Sequence, residues 1–127
     1  MESEIEESKE EKMKKHLQAA DIGKKVMSEI SVKSGMKIAD IVLGLEKKIM
    51  DYGGQPAFPV NVSCNELAAH DTASVGDVRV IGEKDIVKVD LGVHVDGYIV
   101  DAAVTIDLSS ENEKLLAAAK EALDDAI

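Results

Sequence analysis

Two aspartates, Asp90 and Asp101, stand where packing would not place a carboxylate. They lie in the stretch DIVKVDLGVHVDGYIVDAAVTIDL, from Asp85 to Leu108. From Val87 to Val95 the odd positions are Val87, Val89, Leu91, Val93 and Val95, and the even ones are Lys88, Asp90, Gly92, His94 and Asp96. This alternation predicts a strand with one apolar face. Asp96-Gly97 suits a two-residue hairpin turn, because both residues tolerate the positive φ that such turns require. With that turn, Val95 faces Tyr98, Asp90 faces Ala103 and Asp101 faces Gly92. Asp90 and Asp101 then share a face as diagonal neighbours, about 7–8 Å apart at the backbone. Two carboxylates converging beside a glycine and an alanine call for a cation between them. A solvated sheet face carrying scattered acids is the plainer reading, and spacing alone leaves both open.

The other residues that could do chemistry are few. Gln55 to Gly76 is irregular, holding both prolines, the only Phe and one of three histidines. A segment longer than the usual ~4–6-residue connection is where a site is built. His70 lies in it and is carried forward. His16 has helical neighbours and reads as structural, as does His94, although it shares the polar face of the hairpin. Cys64, the single cysteine, has no activating base near it in sequence and reads as a small, half-buried thiol. A catalytic divalent metal takes three or more protein ligands. Asp90 and Asp101 cannot supply them by themselves, and no HExxH or CxxC completes the set.

The elements that must position these residues are legible from periodicity. Residues 1–12 form a charged leader. From Met13, apolar positions at Leu17, Ala20, Gly23, Met27 and Ile30 predict an amphipathic helix that breaks before Gly35. Ile38, Ile41, Val42, Leu45 and Ile49 predict a second helix, stopped by Gly53-Gly54. Phe58 and Val60 to Ser63 suggest a strand edge. After the hairpin, Ser110 and Glu113 have the spacing of a capping box. It would open a third helix through Leu115, Leu116, Ala119, Leu123 and Ile127. That helical pattern reaches Ile127 without a stop signal, so further chain is expected to complete the site.

Composition bounds the function. The 127 residues are 45% apolar, enough for one real core, and only 2% aromatic, which makes that core aliphatic. A net charge of −10 and a pI near 4.7 argue against nucleic acid as a partner. No apolar run is long enough for a membrane span, and MESEIEESKEEKMKK is neither a signal nor a transit peptide. A cytoplasmic protein is expected.

GGQPAFPVNVSCNELAAH, followed by DIVKVDLGVHVDGYIVDAAVT, resembles the N-terminal half of methionine aminopeptidases, in particular their type II branch from archaea and eukaryotes. The resemblance implies an α+β chain that is half of a pita-bread fold, with an antiparallel sheet covered by about three helices. Residues 13–127 would be the N-terminal half of a catalytic domain. In that family two similar halves surround two divalent ions (Co, Mn, Fe or Zn), and the five metal ligands are two aspartates from the first half and a histidine and two glutamates from the second. Asp90 and Asp101 match the two aspartates. His70 matches the catalytic histidine that contacts substrate near the scissile amide, and Phe58 a wall of the pocket for the methionine side chain. The implied reaction is hydrolysis of the first peptide bond of nascent chains by attack of a metal-activated water. The implied partner is the N-terminal methionine of peptides, with a separate C-terminal chain or a second copy as further possibilities. Alternatives are a non-catalytic pita-bread module that binds proteins and a relative of Xaa-Pro dipeptidase.

The sequence departs from that family in three places. AAH is followed by Asp71, Thr72 and Ala73 where the family usually reads AAHYTP. This removes packing and stiffness beside His70. A proline usual near Ser34 is missing, and so is the second half with its three ligands.

Overall fold

The computed structural model describes residues 6–127, in the order α1 (Lys9–Ser28), α2 (Ile38–Asp51), β1 (Gln55–Pro56), β2 (Asn61–Cys64), β3 (Ile86–Val95), β4 (Tyr98–Asp107) and α3 (Glu113–Ala126). Residues 1–5 of the expected leader lie outside the described residues. Helix α1 opens before Met13 because Ser8 and Glu11 form a capping box. The Ser8 hydroxyl accepts the Glu11 N–H at 3.2 Å, and the Glu11 carboxylate accepts the Ser8 N–H at 2.9 Å. Gly53, at φ +97°, closes α2, with its N–H on the Met50 carbonyl and the Gly54 N–H on that of Ile49.

The hairpin has the register expected from its alternation. Val95 pairs with Tyr98, Asp90 with Ala103 and Gly92 with Asp101. Strand β3 is the centre of a four-stranded antiparallel sheet. β4 runs along one of its edges, while β2 (opposite Val87 to Asp90) and β1 (opposite Val93 and His94) share the other. Helix α1 packs on β3 and β4, and α2 on β1 and β2. Both helices cover the odd face of β3, where Val87, Val89, Leu91 and Val93 meet Val26, Ile49, Val60, Val62 and Ile81 in one aliphatic core. Burial of such side chains contributes roughly 1.5–3 kcal/mol each. This core fixes the sheet and thereby turns Asp90 away from the helices.

The capping box expected at Ser110 is not formed. Ser110 is in the left-handed region at φ +56°, and α3 begins at Glu113 after Asn112. The Asp107 carboxylate explains this, because it accepts the N–H and hydroxyl of Ser109 (3.0 and 2.5 Å) and the Asn112 N–H (2.8 Å). That side-chain turn fixes Ser109 and Asn112, the residues just before the two a capping box would need.

Candidate metal centre

Asp90 sits at mid-sheet, flanked by Asn61 of β2 and Ala103 of β4, all on the face the helices leave open. Asp101 reaches the same face one pair along, opposite Gly92. Gly92 is small for a definite reason. A Cβ there would lie 2.4 and 2.8 Å from Phe58 ring carbons and 2.9 Å from the Ala57 Cβ. The Ala57 N–H also donates to the Gly92 carbonyl at 2.9 Å. Gly92 thus lets the half-buried Phe58 ring pack directly on the β3 backbone. Phe58 lies against Gly92, whose partner on β4 is Asp101, and Asp90 is two positions before Gly92 on β3.

The electrostatics of Asp90 are those of an incomplete site. Its Oδ1 is buried without a hydrogen-bond partner, the only such side-chain atom among the described residues. Burial pushes its carboxyl up to about 6, helped by the neighbouring Asp101 carboxylate, while His70 pulls the other way. A buried carboxylate oxygen without a donor requires a proton or a cation. No Lys or Arg among the described residues pairs with either aspartate. The pair therefore fits a divalent cation in chemistry. It does not fit in number, because the described residues contain no group of three or more His, Cys, Asp or Glu able to hold a metal.

His70 is exposed, at φ +66°, close enough for its charge to act on Asp90. The residues after it are not loose, contrary to the expectation from Asp71 and Ala73. Arg79 pairs with the Asp71 carboxylate at 2.7 Å, and Ala73 packs against the core. His94 has another task, its Nδ1 accepting the Gly97 N–H at 3.0 Å across the hairpin turn. His16 stacks edge-on against Tyr98, with ring centroids 5.1 Å apart. The Cys64 thiol is pushed up by burial, which leaves it a poor nucleophile. Sequence reading missed Asn61, whose amide side chain shares the face directly beside Asp90. The alternation of Val60 and Val62 as buried residues was its only signal, and it required knowing that β2 pairs with β3.

Residues 14–127 match the sequence profile of Metallopeptidase family M24. The chain belongs to that family. It is 47% identical over 113 residues to a methionine aminopeptidase of Thermococcus kodakarensis, covering 87% of this chain and 38% of that protein. A solved methionine aminopeptidase from Thermotoga maritima superposes on 95% of this M24 chain and 53% of its own, with a TM-score of 0.81 and 25% identity. The prolidase of Pyrococcus furiosus matches less fully, at TM-score 0.64 and 26% identity over 79% of this chain and 32% of its own. The fold is thus half of the pita-bread architecture, and this M24 chain spans 38–39% of the length of the archaeal aminopeptidases it matches.

Proposed function

We propose that this chain supplies half of the dinuclear metal site of a methionine aminopeptidase, which removes the N-terminal methionine from nascent peptides. The buried, unpartnered Oδ1 of Asp90, with Asp101 diagonal to it, carries the reading. Residues 13–127 act as the N-terminal half of the catalytic domain, and of the leader expected at 1–12, residues 9–12 already belong to α1. The remaining ligands come from further chain of a longer protein, a reading supported by the 38% coverage of the relative. A separate C-terminal chain or a second copy are the other sources. The substrate places the action in the cytoplasm, where nascent chains begin.

Asp90 and Asp101 would hold two divalent ions drawn from Mn, Fe, Co or Zn, which carboxylate and imidazole ligands accept. When bound, such a pair provides a nucleophilic hydroxide at neutral pH and Lewis acidity toward a carbonyl. The chain's own residues do the rest. The His70 imidazole orients the scissile amide by hydrogen bonding to it. Phe58 offers an apolar ring at the edge of the carboxylate pair, a surface suited to a thioether side chain. Identity favours the aminopeptidase over the Xaa-Pro dipeptidase reading, at 47% against 26%. A protein-binding module would have no use for a carboxylate buried without a donor.

Calorimetric titration with Mn²⁺ tests the reading. Wild type is expected to bind at least tenfold more tightly than Asp101→Ala, and equal binding would show that the two aspartates are not a metal site. A Met-peptide assay on the same samples is expected to show no turnover by these 127 residues alone.

A further inference from the structure

His70 holds a left-handed backbone, φ +66°, a conformation strained for a non-glycine residue that persists only where the surroundings impose it. Among the described residues its own groups make no hydrogen bond that would do so. The constraint falls on the two residues after it. The Asp71 N–H donates to the buried Ser63 hydroxyl at 3.3 Å, the Asp71 carbonyl accepts the Val62 N–H at 2.9 Å, and the Thr72 hydroxyl donates to the Val60 carbonyl at 2.8 Å. These bonds tie the segment to β2.

A second tie comes from the far side. Arg79 donates to both Asp71 carboxylate oxygens, at 2.7 and 3.3 Å, and to the Thr72 carbonyl at 3.0 Å. The same guanidinium donates to the Asp77 carboxylate at 2.8–3.1 Å and holds that carboxyl below the usual range. The backbone of Arg79 is itself fixed, because its carbonyl accepts the Ile38 N–H at 3.1 Å at the start of α2. Arg79 is the chain's only arginine, in a sequence that otherwise uses lysine. Only a planar fork with five donors can serve two carboxylates and a carbonyl together. A cation shared by two carboxylates also holds better than an isolated surface pair.

We propose that Arg79 is a positioning residue for His70. It clamps Asp71 and Thr72 to the start of α2 and so sets where the imidazole stands relative to Asp90. The role in substrate alignment rests on the function proposed above for His70. The clamp itself does not.

The test is NMR of histidine-labelled protein, in which three histidines give resolved signals, combined with amide hydrogen exchange. In Arg79→Ala the His70 ring signal should shift or split, with those of His16 and His94 unmoved. Exchange at Val62 and Asp71 should rise about tenfold. Arg79→Lys should show part of the effect, because it keeps the charge and loses the fork. Asp71→Asn, which keeps every backbone bond, repeats the test should Arg79→Ala not fold. Lys47→Ala, which removes an exposed ion pair elsewhere, should change nothing. Unchanged His70 signals in folded Arg79→Ala, or exchange raised equally across all strands, would overturn the clamp. Mn²⁺ affinity should stay at the wild-type value in Arg79→Ala, so loss of the clamp and loss of the metal site are read separately.

Discussion

Helices α2 and α3 are both 14 residues long and both carry one apolar stripe, yet they fare differently. α2 buries Ile38, Ile41, Val42, Leu45 and Ile49, whereas α3 buries no residue, leaving Leu115 65% and Leu123 60% exposed. An amphipathic pattern states which face of a helix is apolar and says nothing of what covers it. The two faces of β3 repeat the contrast. Val87, Val89 and Val93 are fully enclosed beneath the helices, while on the other face Lys88, Asp90 and His94 of β3 are half-buried and Asp101 and Ala103 of the neighbouring β4 are exposed. The side that holds the fold together is covered by helices, and the side that carries Asp90 and Asp101 is not.

The sharpest way to test that division is to remove packing from α2. Ile49 is 0% exposed, and Ile49→Ala deletes buried methyl groups and leaves a cavity. A loss of about 2–5 kcal/mol is expected, read as a lower urea midpoint at unchanged slope. A loss below about 1 kcal/mol would place α2 outside the core.

Gly92 tests the boundary between the two sides. Its backbone belongs to the packed sheet, but a side chain there would meet Phe58 at 2.4 Å. Gly92→Ala is expected to cost about 1–3 kcal/mol through overpacking and to lift the Phe58 ring off the sheet. Ring-current shifts of the chain's single phenylalanine measure the displacement. A ring that stays in place would show that the contact is soft.

Much of this was readable before the structure. Strict alternation and one Asp-Gly turn define the hairpin register, and the register alone places Asp90 diagonal to Asp101, because both signals are local. Asn61 was not readable because it depends on β2 pairing with β3, 29 positions along, and the Arg79–Asp71 clamp was not because it lies eight residues apart in an irregular segment without periodicity. The third-helix cap failed for a related reason. Ser110 and Glu113 have the right spacing, but the Asp107 side chain takes the N–H groups of Ser109 and Asn112, one position before each, and so sets the local backbone differently. Spacing does not show which nearby polar side chain will set the turn that enters a helix.

The open side of β3 should betray itself as a pH dependence. Asp90 titrates near 6 in the folded chain against 3.8 for an ordinary aspartate. Between those values the folded state holds more protons than the unfolded one, so stability falls as pH rises through that window and levels off above it. Asp77 and Asp107, whose carboxyls lie below the usual range, act in the opposite sense at lower pH. The Asp90 share is therefore isolated by difference. Urea midpoints from pH 3.5 to 7 should decline less across this window in Asp90→Asn than in wild type. Identical profiles would mean that water reaches Asp90 as freely as any surface acid.

The smallest effect is the one that tests α3. Leu123 lies on its apolar stripe, 60% exposed, and no residue of the helix is buried. Leu123→Ala removes no core contact and exchanges one strong helix former for another. Stability should therefore change by no more than about 0.5 kcal/mol, measured at low protein concentration. Self-association at high concentration, followed by light scattering, should fall, because the substitution shrinks an exposed apolar strip. A loss above about 1 kcal/mol in the dilute protein would mean that α3 folds down on the core in solution. The contrast with α2 would then vanish, and the open face would be narrower than the structure makes it.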